Sequence, residues 1–282
     1  MKKILITGAD GMLGMDLAPI LSTNGYQIIQ TDINSMDITN SNEINEIFSR
    51  ELPDYVIHCA AYTNVDKAEE NFEIAEEINV SGTKNIAQAC EQFGTIPIYI
   101  STDYVFDGKK NSYYTPNDKP NPLNNYGKTK LAGEQAIQSI CSKYYIVRTS
   151  WLYGNYGKNF IETMLSLTTK AEIKVVNDQI GCPTWTIELS EGILKILKEQ
   201  KPFGIYHICG KEAVSWYEFA KKIFKASNST VNLLACTSEE FKTKALRPSY
   251  SVLTNDLAVD ALEENIKKYL NLRERMIKQW KV

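Results

Sequence analysis

The sequence predicts an α/β protein with a doubly wound parallel sheet of the Rossmann type and a second, smaller C-terminal substrate lobe. Short apolar runs alternate with amphipathic stretches, and a glycine-rich turn follows the first run. The 282 residues suffice for one such core and a smaller lobe. We expect the nucleotide-binding domain over 1–150 and most of the discontinuous substrate lobe over 151–282, with a strand near 204–209 that returns to the main sheet.

The first half of the chain follows a regular βα alternation. Runs rich in Ile, Val and Tyr predict strands at Lys3–Thr7, Gln27–Thr31, Tyr55–Cys59, Ile96–Ser101 and Tyr144–Arg148. Helices are expected between them, near 12–24, 41–51, 72–93 and 126–139. The alternation is looser after Ser150, where the sequence predicts helices at 159–169 and 185–199, strands at 173–176 and 231–235, an extended segment at 247–253, and terminal helices.

Composition excludes several classes of protein. The chain has 31 basic and 34 acidic residues, a formal net charge of −3, which gives no reason to expect nucleic-acid binding. No apolar run is long enough to span a membrane or to act as a signal peptide, so we expect a cytoplasmic protein. The six cysteines form no C-x-x-C pair and the two histidines lie in apolar runs, so no metal site is predicted.

A glycine-rich turn marks a candidate dinucleotide site. In the segment TGADGMLG, Gly8, Gly11 and Gly14 follow the first strand and open the first helix. Such a turn lets backbone amides approach a pyrophosphate at the positive end of the helix, and we place Met12 and Leu13 among the contacts. Tight turns also require glycine, but the strand–turn–helix context favours a nucleotide.

Further residues are expected around the adenosine and the nicotinamide. Asp32 ends the second strand, where a carboxylate can bind the adenosine ribose hydroxyls and repel a 2′-phosphate, which favours NADH. Its alternative role is a cap of the following turn. A loop and a strand end supply the other candidates, which are Asp37, Ile38, Ala60, Ala61 and Tyr62. The alanines could equally be packing residues.

A candidate catalytic group consists of Thr102, Tyr126 and Lys130. The tyrosine and the lysine are four residues apart on a predicted helix and therefore share one face. We expect the ammonium to lower the phenol pKa and to hold the nicotinamide ribose. Thr102 ends the fourth strand and can bind a substrate oxygen. A Tyr-x-x-x-Lys pattern alone would also fit an exposed helix face, and Thr102 could simply cap a turn. The catalytic interpretation therefore depends on the order in which the glycine turn, the threonine and the Tyr-x-x-x-Lys pattern follow one another.

These residues identify a resemblance to the extended short-chain dehydrogenase/reductases, and within them to a rhamnose-forming subfamily. The resemblance covers nearly the whole chain. Its motifs are TGADGMLG (7–14), AAYTNVDKAE (60–69), STDYVFDG (101–108), PLNNYGKTKLAGE (122–134), RTSWLYG (148–154), NDQIGCPT (177–184), GIYHICG (204–210) and RPSYSVL (247–253). Met12 stands where the family usually has glutamine, at a position of backbone contact.

The resemblance implies reduction of the 4-keto group of dTDP-4-dehydro-L-rhamnose to dTDP-L-rhamnose by NADPH or NADH, for the synthesis of a cell-surface polysaccharide. It implies that Tyr126 donates the proton, that Lys130 tunes it and that Thr102 binds the keto oxygen. The implied sugar-nucleotide contacts are Thr63, Val65, Asp66, Asp103, Trp151 and Arg247, the last at the diphosphate. For three of these a structural role is the alternative, namely lobe packing for Trp151, a helix cap for Asp66 and a surface ion pair for Arg247.

Other functions within the family stay open. Members that dehydrate sugars have a glutamate where this chain has Tyr104, which disfavours dehydration, whereas epimerases share the Tyr and Lys. The substrate could be another nucleotide-linked keto sugar. A non-catalytic, regulatory role is a further alternative, since one relative, the regulatory subunit of methionine adenosyltransferase, has this fold and serves a partner enzyme. Some members bind Mg²⁺ at a dimer interface, but only Asp16 resembles a ligand, so a metal is not supported, and a monomer or a homodimer is expected.

Overall fold

The computed structural model describes residues 1–255 and 260–279. The strands in chain order are β1 Lys3–Thr7, β2 Gln27–Thr31, β3 Tyr55–His58, β4 Ile96–Thr102, β5 Tyr145–Thr149, β6 Leu152–Tyr153, β7 Glu172–Val176, β8 Ile180–Gly181, β9 Thr184–Trp185, β10 Gly204–His207, β11 Val214–Ser215 and β12 Asn232–Cys236. The helices are α1 Met12–Thr23, α2 Ser41–Glu51, α3 Val65–Ala68, α4 Phe72–Glu76, α5 Thr83–Phe93, α6 Asn125–Ile140, α7 Phe160–Ser166, α8 Thr186–Lys198, α9 Trp216–Ala226 and α10 Leu262–Gln279. The predicted strands of the first half agree with the observed ones to within one residue at each end.

Six parallel strands form the main sheet in the order β10-β5-β4-β3-β1-β2. The order reverses between β1 and β3, so the crevice of a doubly wound sheet opens at the carboxyl ends of these strands. The predicted fold class is confirmed. Strand β10 comes from the second half of the chain and pairs in register with β5, Ile205 opposite Ile146.

Apolar side chains cover both faces of the sheet. Helices α1 and α8 bury Leu17, Leu21 and Ile193 on one face. On the other face, α2 and α5 contribute Phe48 and Ile86. This explains why the strands are apolar throughout rather than alternating, since neither face meets water. A separate apolar core lies between α7, α9, α10 and the parallel pair β7–β12.

The prediction of one continuous α-helix over 72–93 was wrong, because the structure has two α-helices there. Between α4 and α5 the chain forms a π-helical turn, Glu77–Gly82. The apolar spacing of 72–93 is compatible with one continuous helix, so it did not reveal the extra residue that such a turn inserts. The turn directs Asn79, which is buried, towards the strand ends. The predicted helix at 159–169 is also shorter, Phe160–Ser166, and ends in turns.

None of the helices in the described ranges combines the length and the apolar character that crossing a bilayer requires.

Candidate active site

A cleft of about 700 Å³ opens at the carboxyl ends of β1, β3, β4 and β5. Most of the predicted site residues line it, although they lie far apart in the chain. These are Gly8, Gly11, Met12, Leu13, Gly14, Asp32, Asp37, Ile38, Ala60, Ala61, Thr63, Val65, Thr102, Asp103, Tyr126, Lys130 and Trp151. The predicted Tyr62, Asp66 and Arg247 lie outside this lining.

The glycine turn leaves the first helix open to the cleft. Gly8 has φ +64°, and a Cβ atom there would lie 2.7 Å from the backbone nitrogen of Ala60. Gly11 is the N-cap of α1 and provides no side-chain cap. The first amides of the helix are therefore available to an anion that enters the cleft. This arrangement fits the pyrophosphate of a nicotinamide dinucleotide.

Asp32 lines the cleft and also caps its own turn. One carboxylate oxygen accepts a hydrogen bond from the Asp10 amide at 3.1 Å and the other from the Ile33 amide at 2.7 Å. Both interpretations of Asp32 therefore have geometric support. Among the described residues that line the cleft, Lys130 is the sole basic one. No cationic side chain of that lining stands next to Asp32 to receive a 2′-phosphate.

Asn79 clamps the loop that follows β3. Its side chain accepts a hydrogen bond from the Tyr62 amide at 2.8 Å and donates to the Tyr62 carbonyl at 3.1 Å. It also donates to Thr129 of helix α6 at 3.0 Å. Tyr62 therefore contributes a fixed backbone rather than a cleft-lining side chain. Sequence reasoning missed Asn79, because the only signal would have been the π-helical turn itself.

Tyr126 and Thr102 meet at the centre of the cleft. A hydrogen bond joins the threonine hydroxyl to the phenol, and burial is the main cause that raises the phenol pKa above its usual range. Thr102 also donates to Asp103 at 3.0 Å and accepts from the Tyr104 amide at 3.2 Å. The phenol is thus held in its protonated form beside a fixed hydroxyl.

Lys130 is buried, with 3% of its surface exposed. Its Nζ lies 4.0 Å from the centroid of the Tyr99 ring, a cation–π arrangement. Burial lowers the pKa of Lys130 to about 7, against the opposing effects of Glu134 and Cys59. Burial dominates both groups and favours their neutral forms, so the pKa of Tyr126 is raised here, and the lowering that we expected from Lys130 stays a prediction.

Asp103 carries a buried carboxyl beside the central pair. Only 1% of the residue is exposed. Ser251 donates a hydrogen bond to it at 2.6 Å. Burial raises the pKa of Asp103 to about 6, although the hydrogen bonds from Ser251 and Thr102 oppose that rise. Ser251 lies in the segment 247–253, so the bond ties this segment to the end of β4.

Two stacked indoles form the wall of the cleft on the side of the second lobe. The rings of Trp151 and Trp216 are 3.5 Å apart between centroids and inclined by 3°. Trp151 has φ +47°, a conformation that costs energy for a bulky residue. Gly181 leaves room for its ring, because a Cβ there would lie 2.4 Å from the indole. Trp216 was not predicted, since only long-range packing brings it to the site.

Asp66 and Arg247 form an ion pair outside the cleft lining. The guanidinium donates to the two carboxylate oxygens at 3.2 and 2.7 Å, and the Ala245 amide donates to the carboxylate at 3.0 Å. The cap of helix α3 is Asn64, so the alternative of Asp66 as a helix cap was wrong. For Arg247 the structure shows the alternative ion pair, but the Arg247 side chain is only 18% exposed, so this is a half-buried pair rather than a surface one.

The residues present do not fit a magnesium site. Asp16 lies buried against α8, where its carboxylate accepts a hydrogen bond from Thr186, and burial raises its pKa. Within residues 1–255 and 260–279 no group of three or more His, Cys, Asp or Glu side chains is arranged to hold a metal ion.

Comparisons with known proteins agree with this geometry. The family model described as the RmlD substrate binding domain matches residues 1–282. A spore coat polysaccharide biosynthesis protein of Bacillus subtilis, SpsK, is 39% identical over 97% of this chain and 98% of its own length. A dTDP-4-dehydrorhamnose reductase structure from Clostridium acetobutylicum has 43% identity and a TM-score of 0.93 over 96% of this chain and 99% of its own. One from Bacillus anthracis, in complex with NADP, has 41% identity and a TM-score of 0.93 over 96% of this chain and all of its own.

The sheet, the open helix terminus and the Tyr126–Lys130 pair define a nicotinamide-dependent oxidoreductase of the short-chain dehydrogenase/reductase type. The chain belongs to the RmlD family, whose model spans its full length.

Proposed function

We propose that this protein reduces the 4-keto group of dTDP-4-dehydro-L-rhamnose to dTDP-L-rhamnose with NADPH or NADH. The observation that carries the proposal is the half-buried Tyr126, hydrogen-bonded to Thr102 and one helical turn from Lys130, in a cleft that also contains an uncapped helix N-terminus. Relatives of 41–43% identity are named dTDP-4-dehydrorhamnose reductase, and one of them binds NADP.

The cofactor supplies the hydride when it is bound. Tyr126 donates a proton to the oxygen that was the keto group, and Thr102 positions that oxygen by a hydrogen bond. The raised phenol pKa suits an acid, because the proton stays on Tyr126 until negative charge develops on the substrate oxygen. Lys130 in its charged form binds the nicotinamide ribose.

The cofactor contacts follow the predicted wall of the cleft. We assign the pyrophosphate to the amides of Gly11, Met12 and Leu13, with Gly8 and Gly14 allowing the close approach. Asp32 faces the adenosine ribose, Asp37 and Ile38 flank the adenine, and the loop 60–62 supports the nicotinamide half. The absence of a cation beside Asp32 in the described lining supports a preference for NADH.

The nucleotide-sugar would lie between the two lobes. Thr63, Val65 and Asp103 face it from the sheet side, and Trp151 packs against it from the other lobe. Arg247 would bind the diphosphate by exchanging its Asp66 partner for phosphate oxygens, which a guanidinium also binds in pairs. We further propose that 1–150 with β10 is the cofactor domain and that 151–282 is mostly the substrate lobe.

The cellular setting of the reaction is proposed from the relatives. The similarity to a spore coat polysaccharide protein supports a product that serves a cell-surface polysaccharide. We place the protein in the cytoplasm, as a monomer or homodimer without Mg²⁺.

The test is an assay with dTDP-4-dehydro-6-deoxyglucose and a 3,5-epimerase, in which NADH and NADPH oxidation are followed separately. We expect oxidation with the wild type and its loss in Tyr126→Phe. Tight cofactor binding without oxidation would contradict the proposal and favour either another nucleotide-linked keto sugar, identified by testing other sugars, or a regulatory protein without activity.

A further inference from the structure

A buried carboxylate, Glu134, joins the catalytic helix to two strands of the sheet. Its Oε1 accepts hydrogen bonds from Ser101 Oγ at 2.5 Å and from Arg148 Nε at 2.9 Å. Its Oε2 accepts from an Nη atom of Arg148 at 2.7 Å. The side chains of Arg148 and Glu134 are 2% and 1% exposed, so the pair lies entirely within the protein.

The position of these residues relates the network to the proposed site. Glu134 follows Lys130 by four residues on α6 and therefore shares its face of the helix. Ser101 immediately precedes Thr102 on β4, and Arg148 lies directly opposite Ser101 on β5. One carboxylate thus fixes the distance between the helix that carries Tyr126 and the strand end that carries Thr102.

Stability alone does not account for such a pair. Two charges lose their hydration here, and a buried ion pair is often no better for stability than apolar residues of similar volume. The network is also incompletely satisfied, since the second Nη atom of Arg148 has no hydrogen-bond partner among the described residues. The guanidinium carbon instead lies 5.1 Å from the centre of the Phe106 ring.

The titratable and aromatic groups that face Lys130 come from three elements. His58 and Cys59 approach from the end of β3, the ring of Tyr99 from β4, and Glu134 from α6 itself. Tyr126 lies one turn earlier on the same helix. Neutral His58 and Cys59 give Lys130 little support, because burial lowers the pKa of His58 to about 3 and raises that of Cys59 to about 12. Glu134 is the carboxylate that favours the ammonium.

We propose that Glu134 is a positioning residue, which holds the catalytic helix against the strand ends and supplies the negative charge that keeps Lys130 an ammonium. The inference rests on the proposed roles of Lys130 and Tyr126. It adds that these roles depend on a residue which does not line the cleft.

The test measures the protonation of Lys130 without cofactor or substrate. The pKa of Lys130 is about 7 in the folded protein against an ordinary 10.5, so the unfolded chain binds more protons between these values. The unfolding free energy therefore rises with pH from about pH 7 upwards, and Lys130→Met removes this rise. Urea unfolding is measured from pH 5.5 to 9 for each protein and for its own Lys130→Met derivative. The difference between the two gives the pH at which the Lys130-dependent rise in unfolding free energy begins, which we call the onset.

The variants separate the charge of Glu134 from the fold. Glu134→Gln removes the charge, and Glu134→Gln with Arg148→Met removes both charges, so that no unpaired guanidinium stays buried. In either variant we expect the onset to move at least about half a pH unit lower. Glu162→Gln is the matched control, since it breaks a comparable two-bond contact to Arg273 in the second lobe and leaves the onset unchanged.

Catalysis supplies the second measurement. The pH at which kcat/KM falls as Lys130 loses its proton moves lower in the Glu134 variants by the same amount, and stays in place in Glu162→Gln. An unchanged onset in a folded double variant would overturn the inference, because Glu134 would then only hold the fold together. Failure of the wild type to reduce a nucleotide-sugar would overturn the proposed function, while the urea comparison would still decide the role of Glu134.

Discussion

The two walls of the cleft are built from different parts of the polypeptide. The cofactor wall consists of backbone and small residues at the ends of neighbouring parallel strands, such as Gly8, Gly11 and Ala60. The opposite wall consists of large side chains, Trp151 and Trp216, which long-range packing brings together. A backbone wall suits the invariant part of a dinucleotide, whereas a side-chain wall can change with the sugar without altering the sheet.

We expect the largest effect on activity from Tyr126, which lies between the two walls. Tyr126→Phe removes the proton donor but keeps the ring, so kcat should fall about 1,000-fold, within the usual range for a general acid. The Kd of NADH should change less than about 2-fold, since the phenol proton takes no part in holding the cofactor. Steady-state kinetics and fluorescence titration measure the two quantities. A variant that keeps most of its kcat would show that another group donates the proton.

The cofactor wall should be sensitive to a single methyl group. Gly8→Ala places a Cβ 2.7 Å from the Ala60 backbone at φ +64°. Left-handed backbone alone costs about 1–2 kcal/mol. With the added clash, we expect NADH affinity to fall about 100-fold, or about 2.7 kcal/mol.

Gly25→Ala is the control for backbone strain alone. Gly25 also has a positive φ, +86°, but a Cβ there meets nothing within 4 Å. Urea unfolding should show a loss of about 1 kcal/mol in this variant, while NADH affinity stays at the wild-type value. Equal losses of NADH affinity in both glycine variants would contradict the proposed close approach at Gly8.

The side-chain wall should affect the sugar rather than the cofactor. Trp216→Ala removes the ring that stacks on Trp151, so the KM for the nucleotide-sugar should rise about 10-fold, equivalent to about 1.4 kcal/mol. The Kd of NADH should be nearly unchanged, and Trp216→Phe should recover most of the loss. A weaker affinity for NADH with an unchanged KM for the sugar would reverse our assignment of the two walls.

The smallest effect concerns the choice of cofactor. Asp32→Asn keeps the shape and removes the negative charge, but it leaves a single acceptor oxygen where the carboxylate uses one oxygen for the Asp10 amide and the other for the Ile33 amide. Affinity for NADPH should improve about 5-fold because repulsion of the 2′-phosphate is relieved, while NADH affinity stays close to that of the wild type. Parallel titrations with both cofactors measure the ratio. No change in that ratio would leave Asp32 as a turn cap.

The sequence could predict the cofactor wall of the cleft better than the side-chain wall. The glycine turn and the Tyr-x-x-x-Lys pair are local patterns, and parallel strands necessarily bring their carboxyl ends to one edge. Trp216 lies 65 positions after Trp151 in the sequence, and no pattern in the sequence connects them. Asn79 depends on a π-helical turn, and the partner of Arg247 is Asp66, which precedes it by 181 residues.

The electrostatics of the site could not be predicted from spacing either. The i, i+4 pattern correctly places Tyr126 and Lys130 on one face of α6, but the sign of the phenol pKa shift depends on burial. Burial depends in turn on the packing of α6 against the strands and the segment 247–253.

The most direct measurement of the central claim is the transfer of deuterium from reduced cofactor in which both hydrogens at nicotinamide C4 are replaced by deuterium. The sugar product is then analysed by NMR. We predict one deuterium at C4 of the sugar, in stoichiometric yield with oxidised cofactor, and incorporation about 1,000-fold slower in Tyr126→Phe. Unlabelled product, or sugar that isomerises without net oxidation of the cofactor, would contradict a reductase and favour an epimerase.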